Sequence, residues 1–497
     1  MKLSAILPKP RQAVHLLARA FVCGILMVLP SCMIPTLRQA DSAPDLPPTF
    51  VGVSSSESSA KLGVDEFFKD PVLTELIDEA VLNNRELKVL EEEIEVARNE
   101  AMGRSGAYFP FLNLGAGASL ERTSFFTPAG ALERKVEYLP GKVFPDPIPN
   151  FSLGANFIWQ LDIFRELRNT RDAARQRYFA AIERRGAFMT RMVADVAENY
   201  FRLMALDKRM ETIDQTIALQ EESAKLAKAK MEAGRGTELA VLRFQAEVKK
   251  NQSEKFIVTQ DVVEAENRIN FLLNRFPQPV GRRSAGFFDI DIPFSVGVPA
   301  ELLANRPDIR QAEFELQAAG LDVLVARAQF FPKLYIRGGV GYQAINTKYL
   351  FLTPESVAAN IAGDLVAPLI NKIAIQAQYR SANAKQLEAV YNYQKTVLNG
   401  YVEVVNRMTM AENYRRSYEI KKQQLAALEA SVEAANKLFQ NARAEYAEVL
   451  FAQRDLRDAR LVQIDTKRQQ LAAIVAAYQA LGGGANIASP TGEPPCR

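Results

Sequence analysis

The chain is 497 residues long, with 48% apolar and 24% charged residues, which is the composition of a folded protein rather than a disordered one. Its formal charge is +3, but residues 1–31 hold four basic groups and no acidic one, so the other residues sum to −1. A nucleic-acid partner is excluded because such proteins present a concentrated basic face. The only histidine, His15, lies in the same first stretch, which excludes a Ser-His-Asp triad or an imidazole metal site in the rest of the chain.

Residues 1–31 have the organisation of a secretory signal peptide. Basic residues come first, and the apolar run that follows, residues 20–29, is too short for a permanent membrane-spanning helix. It leads into Leu29-Pro30-Ser31-Cys32, which resembles a bacterial lipobox. That resemblance implies a diacylglycerol on the Cys32 thiol, and Met33 favours sorting to the outer membrane. The alternative is ordinary cleavage nearby, with Cys32 unmodified.

The segments on either side of the two-copy region are predicted to be a tether and a tail. Residues 32–64 are rich in Ser and Pro and are predicted to tether the lipid anchor to the body, and residues 483–497 form a flexible tail. Of the other cysteines, Cys23 lies in the leader and Cys496 is one residue from the end. No internal disulfide can therefore form in the processed chain. We expect no cofactor other than the covalent lipid.

Residues 65–276 are the first of two copies of one structural plan. Apolar periodicity and Pro placement predict its elements in chain order: a helix over 85–106, a strand over about 111–121, a Pro-rich loop over 122–149, a strand over about 151–162, a long helix over Glu166–Ala233 and a helix over 237–275.

A Pro-containing linker, residues 277–298, joins this copy to the second one, residues 299–482. Tyr108-Phe-Pro-Phe-Leu112 recurs 222 residues later as Phe330-Phe-Pro-Lys-Leu334, which identifies the repeat. The second copy follows the same order: a helix over 307–329, strands over about 334–343 and 357–367, a long helix over Asn371–Asn441 and a helix over 446–481.

The predicted long helices are too long for a compact globular domain. Apolar residues such as Leu203, Leu206 and Met210 repeat about every 3.5 positions, which favours supercoiling against neighbours. At about 1.5 Å per residue each long helix would reach ~100 Å, and the two shorter helices of each copy together nearly match that length. This arrangement favours the wall of a cylinder, although a soluble coiled coil would show the same periodicity.

The four predicted strands alternate apolar and polar side chains. In the first, Leu112, Leu114 and Ala116 face one way, and Asn113 and Gly115 face the other. Each strand has about ten residues, the length of a tilted transmembrane β-strand. A half-buried sheet in a soluble domain would alternate in the same way.

Closure of such a sheet requires other chains. An open sheet edge cannot lie in hydrocarbon, and four strands are too few to enclose a water-filled lumen. At least three chains would be needed, and three supply twelve strands. The fold class predicted is therefore mainly α with a membrane β-barrel, in which long coiled helices continue a twelve-stranded trimeric barrel as a tunnel.

One motif is specific enough to suggest a family. Pro299-Ala-Glu-Leu-Leu-Ala-Asn-Arg306-Pro307-Asp308-Ile-Arg-Gln-Ala-Glu313 closely resembles a signature of TolC-type outer-membrane efflux proteins of the OprM/NodT-like lipoprotein branch. Within it, Pro307 suits a first helical turn and Asp308 complements the helix dipole, so the motif is predicted to be structural. The resemblance extends from about residue 65 to 482. One departure is Arg165, which stands where a Gly commonly follows the family's Asp-x-Phe.

What the resemblance implies is an assembly. Its members are homotrimers in the lipid bilayer of the bacterial outer membrane, with a helical tunnel in the periplasm. They dock to a periplasmic membrane-fusion adaptor and an inner-membrane RND-type transporter, and closure of the tunnel lies at the periplasmic tip. The resemblance maps the two tip turns, and with them the adaptor contacts, to Gly234, Arg235, Gly236 and Thr237 and to Asn441, Arg443 and Glu445. The second turn lacks Gly, and Asn441 is the residue expected to replace it.

The resemblance also places an aperture just beyond the second turn. Relatives often carry Asp-x-x-Asp there, whereas this chain has Glu448 and Phe451. Under threefold symmetry a ring of acids would select cations and a ring of aromatics would narrow the passage. The alternatives are a solvated acid beside Arg443, Arg454 or Arg457, and an aromatic that only packs.

Two functions are consistent with these patterns. The first is a trimeric exit duct that passively conducts substrates delivered by a pump. The second is a non-pore periplasmic coiled-coil lipoprotein that acts as adaptor or scaffold. An enzyme is not expected, because the sequence has no phosphate loop and no metal-ligand spacing.

Overall fold

Long α-helices make up most of the protein. The computed structural model describes residues 34–52, 57–283, 286–368, 372–441 and 443–485. The predicted signal peptide, Cys32 and almost all of the predicted C-terminal tail lie outside these residues. Contacts divide the chain into two units. The first comprises the residues up to Ala40, Arg98–Arg177 and Leu316–Val390, and the second comprises Asp41–Ala97, Tyr178–Glu315 and the residues from Tyr391 onward.

The helices within the described ranges follow the repeat. They are α1 (Val64–Phe68), α2 (Pro71–Asn83), α3 (Arg85–Gly106), α4 (Pro128–Glu133), α5 (Glu166–Glu232), α6 (Glu238–Leu272), α7 (Glu301–Asn305), α8 (Pro307–Ala328), α9 (Ile373–Gln440) and α10 (Tyr446–Ala480). The long helices α5 and α9 have 67 and 68 residues. The six helices predicted from the sequence are confirmed, with ends that differ by three residues at most.

The strands form one large sheet and one small hairpin, and all six are described here: β1 (Phe111–Glu121), β2 (Glu137–Leu139), β3 (Lys142–Val143), β4 (Ile148–Leu161), β5 (Lys333–Ala344) and β6 (Val357–Val366). The large sheet has the order β1-β4-β5-β6, and every neighbouring pair is antiparallel. The four predicted strands are confirmed. The Pro-rich region 122–149 was predicted as a loop, but it contains α4 and the β2–β3 hairpin.

Helix α5 begins at a strained residue. The Asp162 carboxylate, which is buried, accepts hydrogen bonds from the N–H groups of Leu167 and Arg168 at 2.9 Å and so caps the helix. Arg165, where the family commonly has Gly, adopts a φ of 61°. A left-handed conformation costs an L-residue about 1–2 kcal/mol. The backbone of Arg165, which stands in place of the family's usual glycine, is therefore strained in this chain.

Arg165→Gly is expected to stabilise the protein. Relief of the left-handed strain exceeds the extra entropy that Gly gives the unfolded chain, so the gain is about 0.5–1 kcal/mol. Thermal unfolding followed by circular dichroism checks this, with Arg165→Ala as the matched control. Alanine removes the same exposed side chain but keeps the strain, and an equal gain in both variants would contradict the explanation.

The core of the second unit is built around the end of α10 and the middle of α5. Tyr478 stacks on Phe67 with ring centroids 4.1 Å apart, and both rings are fully buried. The Tyr200 hydroxyl donates to the Asp70 carboxylate at 3.0 Å. The same carboxylate caps α2, because it accepts from the N–H groups of Val72 and Leu73. This cluster fixes the N-terminal helices against the long ones.

The arginine of the Arg-Pro-Asp motif connects several helices of the second unit through hydrogen bonds. The Arg306 side chain is only 8% exposed, and its Nε and Nη2 donate to the two Asp308 carboxylate oxygens at 3.0 and 2.7 Å. Its Nη1 donates to Glu403 on α9 at 2.9 Å and to the Ala480 carbonyl of α10 at 2.6 Å. Burial lowers the pKa of this guanidinium, but Asp308 and Glu403 outweigh it and hold the pKa above its ordinary value. The motif therefore joins three helices, which agrees with the structural role predicted for it.

The segment predicted as a simple tether makes specific contacts with α9. In the first unit the backbone of Arg38 exchanges two hydrogen bonds with the Asn383 amide, at 3.0 and 3.2 Å. In the second unit the Tyr401 hydroxyl donates to the Thr49 carbonyl at 3.1 Å. Arg38 and Thr49 are therefore bound to the surface of α9.

Candidate functional site

One face of the four-stranded sheet is apolar across its whole width. Directly paired residues share a face, and the rows run from strand to strand. The row through the middle contains Leu114, Ala155, Val340 and Ala359, and the rows beside it are also apolar except where glycine stands. Leu114 is 84% exposed and Val340 59% exposed. The apolar face predicted from the sequence is confirmed, and nothing within the described ranges covers it.

The opposite face is polar and lined by small residues. One row joins Asn113, Asn156, Gly339 and Asn360. In the next row, Gly154 and Gly341 face each other so closely that a Cβ on Gly341 would lie 2.5 Å from the Gly154 Cα. Small side chains keep this face open, as the lining of a passage for solutes would require.

The sheet leaves both of its edges unpaired. β1 and β6 are the outer strands, and among the described residues no other strand pairs with their free edges. Unpaired backbone N–H and C=O groups on an apolar sheet invite pairing with another chain. This sheet is therefore an incomplete unit.

Aromatic side chains gather where the strands meet the helices. The Trp159 Nε1 donates to the Tyr108 carbonyl at 3.0 Å. Phe164 stacks on Phe331 with centroids 4.6 Å apart. Aromatic rings at a strand end are typical of the interface between lipid and water.

The turn between α5 and α6 carries four of the predicted tip residues, all exposed: Gly234, Arg235, Gly236 and Thr237. Gly234 has a φ of 72°. The Arg235 N–H donates to the Lys230 carbonyl at 2.8 Å, and the Gly234 N–H to Met231 at 3.0 Å, which is the Schellman ending of a helix. The Thr237 hydroxyl then caps α6 by accepting from the Ala240 N–H. The predicted tight reversal at Gly234 is observed.

The turn between α9 and α10 differs from the prediction. Asn441, Arg443 and Glu445 are exposed as expected, but Asn441 does not take over the role of glycine. It has no positive φ, and its amide Nδ2 instead donates to the Lys437 carbonyl one turn earlier at 2.9 Å. The Arg443 N–H donates to the Leu438 carbonyl at 2.9 Å, a hydrogen bond to the last turn of α9.

A small apolar cluster holds the two turns together. Phe244 is fully buried, and it packs with Val449 and Phe439 in a cluster formed by all four helices of the two hairpins. The Lys230 ammonium lies 3.7 Å from the centroid of the Phe439 ring and donates to that residue's carbonyl. The structure thus brings both sets of predicted tip residues to one end of the second unit.

Glu448 and Phe451 lie one turn apart near the start of α10. Glu448 is exposed and Phe451 is 59% exposed. Glu448 makes no ion pair within the described ranges, because Arg454 and Arg457 pair instead with Asp458. An exposed Glu448 agrees both with a solvated acid and with an acid that lines an aperture. Both side chains are accessible to solvent.

A buried polar layer behind the tip was not predicted from the sequence. The Arg457 guanidinium donates to Asn251 at 2.9 Å, and Asn251 donates to Gln220 at 2.7 Å, which links α10, α6 and α5. Gln453 donates to Ser223 at 2.9 Å. The sequence does contain an indication of this layer. Gln453 lies four residues after Val449 and three before Leu456, in the same buried stripe of α10.

The described ranges contain neither a membrane-spanning helix nor a cluster of metal ligands. No helix there is both long enough and apolar enough to cross a bilayer. No group of three or more Cys, His, Asp and Glu side chains is placed to hold a metal ion.

Comparison with known proteins agrees with the geometry. The cation efflux system protein CusC of Escherichia coli K12 is 25% identical over 472 residues, which cover 92% of this chain and 99% of that protein. The probable outer membrane lipoprotein SilC of Salmonella typhimurium is 25% identical over 426 residues, or 85% and 88% of the two chains. The open state of the Neisseria gonorrhoeae MtrE outer membrane channel superposes with a TM-score of 0.78 at 24% identity, over 91% of this chain and 98% of that one.

The family assignment follows from a match over most of the length. Residues 76–275 and 298–483 match the family described as outer membrane efflux protein, so both repeats take part. The fold, with its four strands and its long paired helices, is shared with the solved outer-membrane channels. The chain belongs to the outer membrane efflux protein family.

Proposed function

We propose that the protein is a trimeric exit duct of a tripartite efflux system, which conducts solutes passively across the bacterial outer membrane. The observation that carries this proposal is the sheet that is apolar on one face, polar on the other and unpaired at both edges. In hydrocarbon every backbone group must be paired, so this sheet needs further strands from other copies. Three copies close a barrel of twelve strands with its polar faces inside.

The driving force and the partners come from outside this chain. Family members are channel proteins rather than enzymes. Relatives are named as efflux-system and efflux-pump components, which favours delivery by an inner-membrane transporter of the RND type through a periplasmic adaptor. The exposed turns at Gly234 and at Arg443 are the proposed adaptor contacts. The repeats proposed for this assembly are residues 65–276 and 299–482, and the match to the family falls in both.

A lipid on Cys32 would anchor each copy. The sequence Leu29-Pro30-Ser31-Cys32 supports this, as does the naming of one relative as a lipoprotein. Two residues further on, Ile34 packs against the cluster of Phe330 and Tyr379 in the first unit, which also contains the sheet.

Cys32→Ala is expected to abolish incorporation of labelled palmitate, because it removes the only thiol at the lipobox position. Labelling of cells followed by gel analysis of the purified protein measures this. Unchanged labelling in the variant would contradict the anchor at Cys32.

The duct is tested by conductance across a planar bilayer. Purified trimers are expected to give discrete channels, and Glu448→Gln is expected to lower their cation-to-anion permeability ratio, because a ring of three acids is lost at the aperture. Glu448→Asp is the matched control, since it keeps the charge and should keep the selectivity. Trimers that give no conductance in any state would instead favour the periplasmic scaffold.

A further inference from the structure

The polar face of the sheet carries very few charges, and they are not spread evenly. From the row of Asn113 to the row of Ser119 every polar-face residue is uncharged. Glu121 lies at the loop end of β1. At the other end, Lys333 is neutralised by Glu166 at 2.7 Å. The remaining charged residues on this face of the four strands are Arg337 on β5 and Asp364 on β6.

These two residues form a diagonal pair between adjacent strands. Arg337 stands opposite Ala362, and Asp364 stands opposite Tyr335 one row away. The Arg337 Nε lies 3.2 Å from the Asp364 carboxylate, and the side chains are 57% and 43% exposed. Both charges therefore face solvent on the polar side of the sheet, and neither is needed to satisfy a buried partner.

We propose that Arg337 and Asp364 form a charge-compensated level in the wall of the duct, separate from the tip, at which each residue cancels the effect of its partner on passing ions. The proposal rests on the proposed function, because it requires the polar face to line the lumen. Three copies place three guanidinium groups and three carboxylates at this level. While paired they cancel, and loss of either partner exposes three like charges beside the uncharged rows that run from Asn113 to Ser119.

The effect of each charge on ion selectivity can be tested because removing either residue is not expected to unfold the sheet. Exposed ion pairs contribute only about 0.2–1 kcal/mol, so neither single variant is expected to prevent assembly. Charges on the wall act over about one Debye length, which is about 10 Å at 0.1 M salt and about 3 Å at 1 M. Any selectivity that they cause must therefore fade as salt rises.

The experiment compares three variants of the full-length trimer in a planar bilayer under a KCl gradient. Asp364→Asn should lower the cation-to-anion permeability ratio at least about twofold at 0.1 M, and Arg337→Met should raise it by a similar factor. The double variant should return to the wild-type ratio, and all differences should shrink at 1 M. The double variant is the matched control, because it removes the pair without leaving a net charge.

The outcomes separate this inference from the duct itself. Conducting trimers whose ratio is unchanged in both single variants would overturn the charge level and leave the duct standing. The same holds if the double variant behaves like one of the single variants. Wild-type trimers that do not conduct would contradict the duct and this inference together.

Discussion

Replacing Leu114 with Arg is expected to prevent the protein from assembling in the outer membrane. Leu114 is 84% exposed in the single chain and lies in the apolar row near the middle of the sheet. If that face contacts lipid, an arginine there costs about 2–4 kcal/mol per copy, or about 6–12 kcal/mol for three copies. If the sheet belonged to a soluble scaffold, the same change at an exposed position would cost at most about 0.5 kcal/mol.

Asn113→Arg is the matched control for this prediction. It is the adjacent residue on the same strand, is also exposed and points to the polar face. An arginine there is expected to leave the yield of membrane trimers almost unchanged, because it would lie in water. The measurement is the fraction of each variant recovered as trimer from outer membranes. Equal recovery of the two variants would contradict a lipid-facing sheet.

Arg306→Met is expected to cause the largest loss of stability among changes outside the membrane. Methionine keeps much of the side-chain volume but leaves Asp308, Glu403 and the Ala480 carbonyl without their shared donor. Removal of one partner of a buried pair costs about 3–5 kcal/mol. Because the two carboxylates are themselves partly exposed, we expect a value near the lower end, about 3 kcal/mol.

Arg416→Met, on α9, provides the comparison. Arg416 pairs with Glu412 at 2.7 Å, and the two side chains are 71% and 40% exposed, so its loss should cost no more than about 1 kcal/mol. Thermal unfolding of the detergent-solubilised trimer, at equal protein concentrations, measures both. A similar small decrease in Tm for both variants would contradict the role of Arg306 in joining the three helices.

Much of the fold could be predicted because its signals are long and regular. Helix α5 has no Pro or helix-ending Gly over its length, and the periodicity of α9 is equally unbroken, so their ends were predictable to within two residues. β1 alternates without a break, and its predicted limits agree with the structure. The β4 strand begins three residues earlier than predicted, because Ile148 and Pro149 continue the ladder opposite β1. Short elements such as α4 were missed because six residues carry no periodicity.

The candidate site was only partly predictable, because its decisive features depend on contacts between distant segments. Arg306 could be recognised as part of a motif, but its bonds to Glu403 and Ala480 span 97 and 174 positions along the chain. Asn441 was assigned a glycine-like conformation from its residue type, whereas the structure gives it a hydrogen bond to Lys437. The pair of Arg337 and Asp364 depends on the register between β5 and β6, which alternation alone does not give.

Electron microscopy of particles extracted from outer membranes in detergent tests the closure of the sheet by other copies most directly. We expect a threefold particle whose membrane part is a closed barrel of twelve strands, in which β6 of one copy pairs with β1 of the next and the row of Leu114 faces the detergent. A solitary chain, or a particle in which that row is covered by protein, would contradict it.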